Sequence, residues 1–119
     1  MHTPPQDAVL LRIFLGEDDR ADGRPLYEAL VLKAREMGLA GATVLRGPMG
    51  FGRNARLHTA KILQLSTDLP VVVEIVDAEE LIHSYLAAID AMMVTGMVTL
   101  EKATVIRYGG APVAGGGKR

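Results

Sequence analysis

The chain contains no cysteine and no tryptophan, and only two phenylalanines and three tyrosines among 119 residues. Without cysteine there is no disulfide, no thiolate metal site and no cysteine nucleophile. That suits a reducing compartment, and a cytoplasmic location is the expectation. So few rings leave the core to aliphatic side chains. A basic excess is missing too. The net charge is −1 and the pI about 6.3, which argues against a nucleic-acid partner. No apolar run approaches the roughly 18 residues that cross a bilayer. "MHTPPQDAV" has no charged segment followed by an apolar one, so no secretion signal is expected. Metal chemistry finds no H-x-x-x-H and no carboxylates at ligand spacing, and the acidic run Glu17–Asp19 reads as a solvated loop.

Hydrophobic residues make up 49% of the chain. The length is that of one domain, which buries roughly 65% of its unfolded surface and needs no staple. Residues 1–7 read as a loose arm. "AVLLRIFLG", Ala8 to Gly16, reads as a strand that is apolar on both faces, with Arg12 its only charge. Leu26, Leu30, Ala34 and Met37 give the stripe of a first helix, with Pro25 in its first turn and Gly38 as its stop. Gly41–Gly47 reads as a second strand, "LPVVVEIVD" as a third and "MVTLEKATVIRY" as a fourth. A second helix runs to about Met93 on the stripe Ile82, Leu86, Ile89, Met93, and Asp77 with Glu80 makes a capping-box-like start. The connection from Pro48 to about Thr67 is long for an irregular loop, and such loops are usually functional. Residues 109–119, rich in glycine, read as a disordered tail.

The order β-α-β-β-α-β predicts an α+β, ferredoxin-like fold over residues 8–108: a four-stranded antiparallel sheet with two helices on one face. The first and third strands carry Val, Leu or Ile on both sides. The face away from the helices is therefore expected to be buried against other copies of the chain, the alternative being that the tail or the long loop folds over it.

"RGPMGFGR", Arg46 to Arg53, admits four readings. As an RNA-recognition strand it fails, because stacking needs two or three rings and Phe51 stands alone. As part of an enzyme it lacks a catalytic constellation; His58, beside Arg53, Arg56 and Lys61, would be the residue used. His2 falls in the arm, and His83 reads as a surface residue. As an anion cradle, Gly47, Gly50 and Gly52 would let backbone N–H groups approach a phosphate neutralised by arginines. A plain bend between strands explains the same glycines equally well.

The fourth reading is a resemblance. Gly38, Gly41, Thr43, Val44, Gly50, Phe51, Gly52 and Arg53, followed later by Thr95 and Gly96, resemble the pattern of the PII signalling proteins. "LRIFLGEDDR", "RPLYEAL", "GLAGATVLRGPMGFG", "LPVVVEIVD" and "VTLEKATVIRY" resemble more narrowly an uncharacterised PII-like branch. The resemblance implies a homotrimer that binds an adenine nucleotide in clefts between subunits. It also implies a long T-loop, here about 48–67, that presents a surface to a partner. Where PII proteins carry G-D-G-K, this chain has Thr99, Leu100, Glu101 and Lys102, and the family's phosphate-binding arginines after the last strand are missing. AMP or ADP, or another small anionic effector, is accordingly expected in preference to ATP. The implied contacts are Thr43 and nearby backbone at the base, Glu17 at a ribose, and Gly47, Gly50, Phe51, Gly52 and His58 around the ligand. Arg46, Arg53, Lys102 and Arg107 would meet phosphate. Proteins resembling this branch are often encoded beside small ion channels, which makes a membrane channel or transporter a candidate partner.

Overall fold

The computed structural model describes residues 2–53, 56–59 and 68–114. Four strands form the main sheet: β1 (Asp7–Gly16), β2 (Thr43–Arg46), β3 (Pro70–Asp77) and β4 (Met97–Thr104). Their order is β2-β3-β1-β4, and every neighbouring pair is antiparallel. Helices α1 (Leu26–Glu36) and α2 (Glu79–Ile89) supply the second layer. This is the expected ferredoxin-like α+β arrangement.

Strand periodicity sorts the sheet into rows. On the helix side, Val44, Val73, Ile13 and Val98 lie side by side, and next to them Ile75, Leu11 and Leu100. The central members of these rows are fully buried, together with Leu26, Leu30, Ile82 and Ile89 from the helices. Each such aliphatic side chain contributes about 1.5–3 kcal/mol on leaving water. Tyr85 joins them, and its hydroxyl donates to the carbonyl of Leu30 at 2.7 Å, which satisfies the one polar atom it brings inside. Burial pushes the Tyr85 phenol upward.

Among the described residues, no helix covers the other side of the sheet. One row there is Leu45, Val72, Phe14 and Met97; the next is Thr43, Glu74, Arg12 and Thr99; a third contains Val76, Leu10 and Glu101. Arg12 donates from Nε to Glu74 at 3.0 Å and from an Nη to Glu101 at 2.5 Å. The Glu74 carboxylate first, then Glu101, hold its guanidinium above the ordinary arginine pKa, against some opposing desolvation. Edge strand β4 is exposed on both faces, with Met97, Val98 and Leu100 in water.

Several sequence expectations need correction. β4 ends at Thr104 instead of running to Tyr108, because Thr104 faces Asp7, where β1 begins and pairing runs out. Gly109–Ala114 do not simply trail off: Ala111 and Pro112 pair with Tyr108 and Arg107. The Tyr108 hydroxyl reaches across to donate to the Ala40 carbonyl at 2.5 Å. The arm is docked as well. Pro4 is buried, Gln6 accepts from the Val105 N–H at 2.9 Å, and His2 Nε2 lies 2.7 Å from Asp77 Oδ1. The capping box does not form. Ala78 is the N-cap of α2, and no side chain caps it. Met37, on the expected stripe of α1, is exposed. Residues 115–119 lie outside the described residues.

Gly96 shows why the turn into β4 needs glycine. Its φ is +102°, and a Cβ there would lie 2.7 Å from the Phe14 carbonyl oxygen. Gly96→Ala is expected to cost about 1–3 kcal/mol, through positive-φ strain and a backbone clash. Urea unfolding of the two proteins measures it, and equal midpoints would contradict the assignment.

Candidate functional site

An open groove of about 250 Å³ lies on the uncovered sheet face beside β2. Leu10, Thr43, Glu74 and Val76 form its floor, and Pro4, Ala40 and Tyr108 its rim. Its position follows from the register. Thr43 is opposite Glu74 and Leu10 is opposite Val76, so four alternate residues from three strands point the same way. The volume is below the roughly 300–1,000 Å³ of enclosed sites for drug-sized ligands. A flat ring fits; a whole nucleotide needs another wall.

The rim is held by a carboxylate whose role has no local signature in the sequence. Asp77 is fully buried. Its Oδ2 accepts from the Ala40 N–H at 2.9 Å, and its Oδ1 accepts from the Ala78 N–H at 2.7 Å. The contact with His2 completes the set. One side chain therefore ties together the arm, the approach to β2 and the start of α2.

The second group of candidate residues gathers where β2 leads into the long connection. Arg46, the last residue of β2, makes an ion pair with Glu17 at 2.5 Å. This gives Glu17 a protein partner in place of the ribose considered for it. Gly47 donates its N–H to the Pro70 carbonyl at 2.8 Å. A Cβ at Gly47 or Gly50 would approach the Pro70 ring at 3.0 or 2.9 Å. Packing against proline is thus reason enough for both glycines. Gly52 has open space around it, and Phe51 and Arg53 are exposed. His58 pairs with Gly50 through the backbone, next to the pair Met49 and Thr59. Lys61 lies outside the described residues.

Lys102 and Arg107 are elsewhere. Lys102 is opposite Val9, whereas Arg46 is opposite Val71, which faces Leu15. Six residues of β1 separate the two levels, about 20 Å at ~3.3 Å per residue. Arg107 sits in the short hairpin after β4 and donates to the Gly110 carbonyl at 3.2 Å. A single protomer therefore does not bring the phosphate candidates together. Among the described residues, no three of His, Asp and Glu are placed to hold a metal ion, and no helix is long and apolar enough to cross a membrane. His83 pairs with Glu79 at 3.5 Å on the exposed side of α2.

A family model described as "DUF190: Uncharacterized ACR, COG1993" matches residues 8–105. The chain belongs to this family. A UPF0166 protein of Aquifex aeolicus (strain VF5) is 45% identical over 97 residues, covering 82% of this chain and 91% of the relative. The UPF0166 protein MJ1524 of Methanocaldococcus jannaschii is 37% identical over 79 residues, covering 66% of this chain and 72% of the relative. Among solved structures, CPII of Thiomonas intermedia K12, a nitrogen regulatory PII-like protein bound to ADP, AMP and bicarbonate, superposes with a TM-score of 0.65. It is 18% identical, and the match covers 85% of this chain and 90% of CPII. The same protein bound to ADP and bicarbonate gives a TM-score of 0.61. At this identity the likeness establishes the fold, which is PII-like.

Removing the Asp77 carboxylate leaves the Ala40 and Ala78 N–H groups without their acceptor. Asp77→Ala is expected to lower stability by about 2–3 kcal/mol, since buried donors lose their partners. His2→Ala, at a part-exposed position, should cost no more than about 1 kcal/mol. Chemical denaturation reads both, and equal losses would mean that the two backbone bonds are not what matters.

Proposed function

We propose that this protein is a PII-like regulator and not an enzyme. It is a cytoplasmic homotrimer that takes an adenine nucleotide, AMP or ADP before ATP, at the seams between subunits. It signals through the 48–67 connection to a partner protein, for which a membrane channel or transporter is the candidate. The observation that carries this reading is the position of the groove. It opens onto the sheet face that the helices leave bare, where the row Leu45, Val72, Phe14, Met97 adjoins the Arg12 ion-pair cluster, so a second copy seated on that face would supply its missing wall. Leu10 and Val76 offer apolar contact to a base, with Thr43 beside them.

The separation of the basic residues supports the same assembly. Arg46 and Lys102 are too far apart along the sheet to share a phosphate within one chain. Between chains the loop end of one subunit can approach the Lys102 end of the next. The preference for fewer phosphates also has a structural basis. Thr99–Lys102 are regular strand residues paired with Arg12, Leu10 and their neighbours on β1. No loop is available there to wrap a triphosphate. CPII, with ADP and AMP bound, is a precedent for adenine nucleotides on this fold.

Ligand-driven switching requires that the nucleotide bind two loop states unequally. The Arg46–Glu17 pair provides a contact that can differ between them. A phosphate that recruits Arg46 has to displace Glu17, which releases the root of the loop.

Titration calorimetry with AMP, ADP, ATP and cyclic nucleotides tests the proposal. Saturable heat is expected with AMP or ADP at one site per chain and weaker binding with ATP; no heat with any of them refutes the reading. Glu17→Gln removes the competitor for Arg46. Because an exposed ion pair is worth up to ~1 kcal/mol, ADP should bind up to about fivefold tighter. Unchanged affinity would take Arg46 out of the phosphate site.

A further inference from the structure

The connection between β2 and β3 is charged unlike the rest of the molecule. From Arg46 to Thr67 the sequence contains Arg46, Arg53, Arg56 and Lys61 and no aspartate or glutamate. That stretch carries +4 with His58 neutral. The whole chain is −1, which leaves −5 on everything else. The described part of the connection is a narrow hairpin, Met49–Gly50 against His58–Thr59. Phe51 is 69% exposed, Leu57 58% and Met49 49%. Arg53 and Arg56 are exposed close to them in sequence. Apolar and basic side chains are thus close in sequence on one ribbon whose root is fixed by the Arg46–Glu17 pair and the Gly47–Pro70 bond.

An acidic protein and an anionic lipid surface would both attract such a ribbon. A stable protein interface takes about 800 Å² from each partner and a shape to match it. The described ladder, two residues on each strand, is too narrow to make such an interface alone, so lipid contact would add to whatever surface the connection offers a partner protein. A lipid surface asks for no shape. Its headgroups draw in arginines, and Phe and Leu side chains enter the layer between headgroups and acyl chains. The same surface repels a body carrying −5, so only the ribbon can face it.

We propose that the hairpin docks on an anionic lipid surface, with Arg53 and Arg56 at the headgroup phosphates and Phe51 and Leu57 in the interfacial layer. The idea deepens the loop's signalling role. It rests on the trimer only for avidity, since three hairpins on one assembly multiply weak contacts.

Co-sedimentation of the full chain, without nucleotide, with phosphatidylcholine vesicles that hold or lack about 30% phosphatidylglycerol is the test. The protein should pellet with the anionic vesicles only, and raising salt from roughly 50 to 500 mM should weaken binding about tenfold or more. Arg53→Gln and Phe51→Ser should each weaken binding several-fold at unchanged melting temperature. Arg35→Gln, the same charge loss on the exposed side of α1, should leave it unchanged. Wild-type protein that stays in the supernatant, or loop variants that pellet like it, would overturn the proposal. So would binding to immobilised polyglutamate but not to vesicles, which would assign the ribbon to an acidic protein. Because no nucleotide is present, failure here is distinct from failure of the nucleotide-sensing reading, which calorimetry reports.

Discussion

A four-stranded sheet has two faces, and this chain has helices for only one of them. That constraint governs the rest of the structure. The helix side is closed by aliphatic side chains from β1, β3, α1 and α2, with Tyr85 fully buried among them and its hydroxyl bonded to the Leu30 carbonyl. The far side is left with the row Leu45, Val72, Phe14, Met97 and with Leu10 and Val76. A monomer would normally place polar side chains there. The charge it does carry is gathered into one cluster, Arg12 between Glu74 and Glu101, so that even this face is largely self-neutralised. Such a surface is built to be covered.

Covering it with other copies would give meaning to the distribution of the candidate site residues. The groove at Thr43 and Glu74, open toward the same face, would then be one half of a shared site. Arg46 and Glu17 lie at one end of the sheet, Lys102 and Arg107 at the other. Within a chain they are unrelated; between chains they can become neighbours. The loop that leaves β2 is rooted next to Arg46, so a ligand at the seam has a short mechanical route to it. The family and the PII-like fold are established by the comparisons, while the trimer, the ligand and the loop's role are the reading that the geometry supports.

Much of the fold was legible in the sequence because it rests on local patterns. Short runs of aliphatic and β-branched residues marked β1 and β3, and period-four spacing marked Leu26, Leu30 and Ala34. What local pattern could not show were contacts between distant residues. Asp77 looked like half of a capping box because Glu80 follows it by three. In fact it serves Ala40 and meets His2, partners 37 and 75 positions away. Tyr85 lay off the chosen stripe, and only the packing of α2 against α1 reveals its bond to Leu30. The end of β4 is not visible in the sequence because alternation continues through Ile106, whereas pairing depends on where β1 begins. For the site, Thr43, Arg46 and Glu17 were identified as individual residues. The pairing of Arg46 with Glu17, and the packing of Gly47 and Gly50 on Pro70, needed the antiparallel register of β2 and β3 to appear.

The central claim is that apolar surface opposite the helices drives self-assembly, and sedimentation equilibrium at micromolar concentration addresses it most directly. A single species with three times the mass of one chain is expected. A lone, stable protomer over the same range would contradict it, because the groove would then have no second wall and Lys102 no route to the loop end.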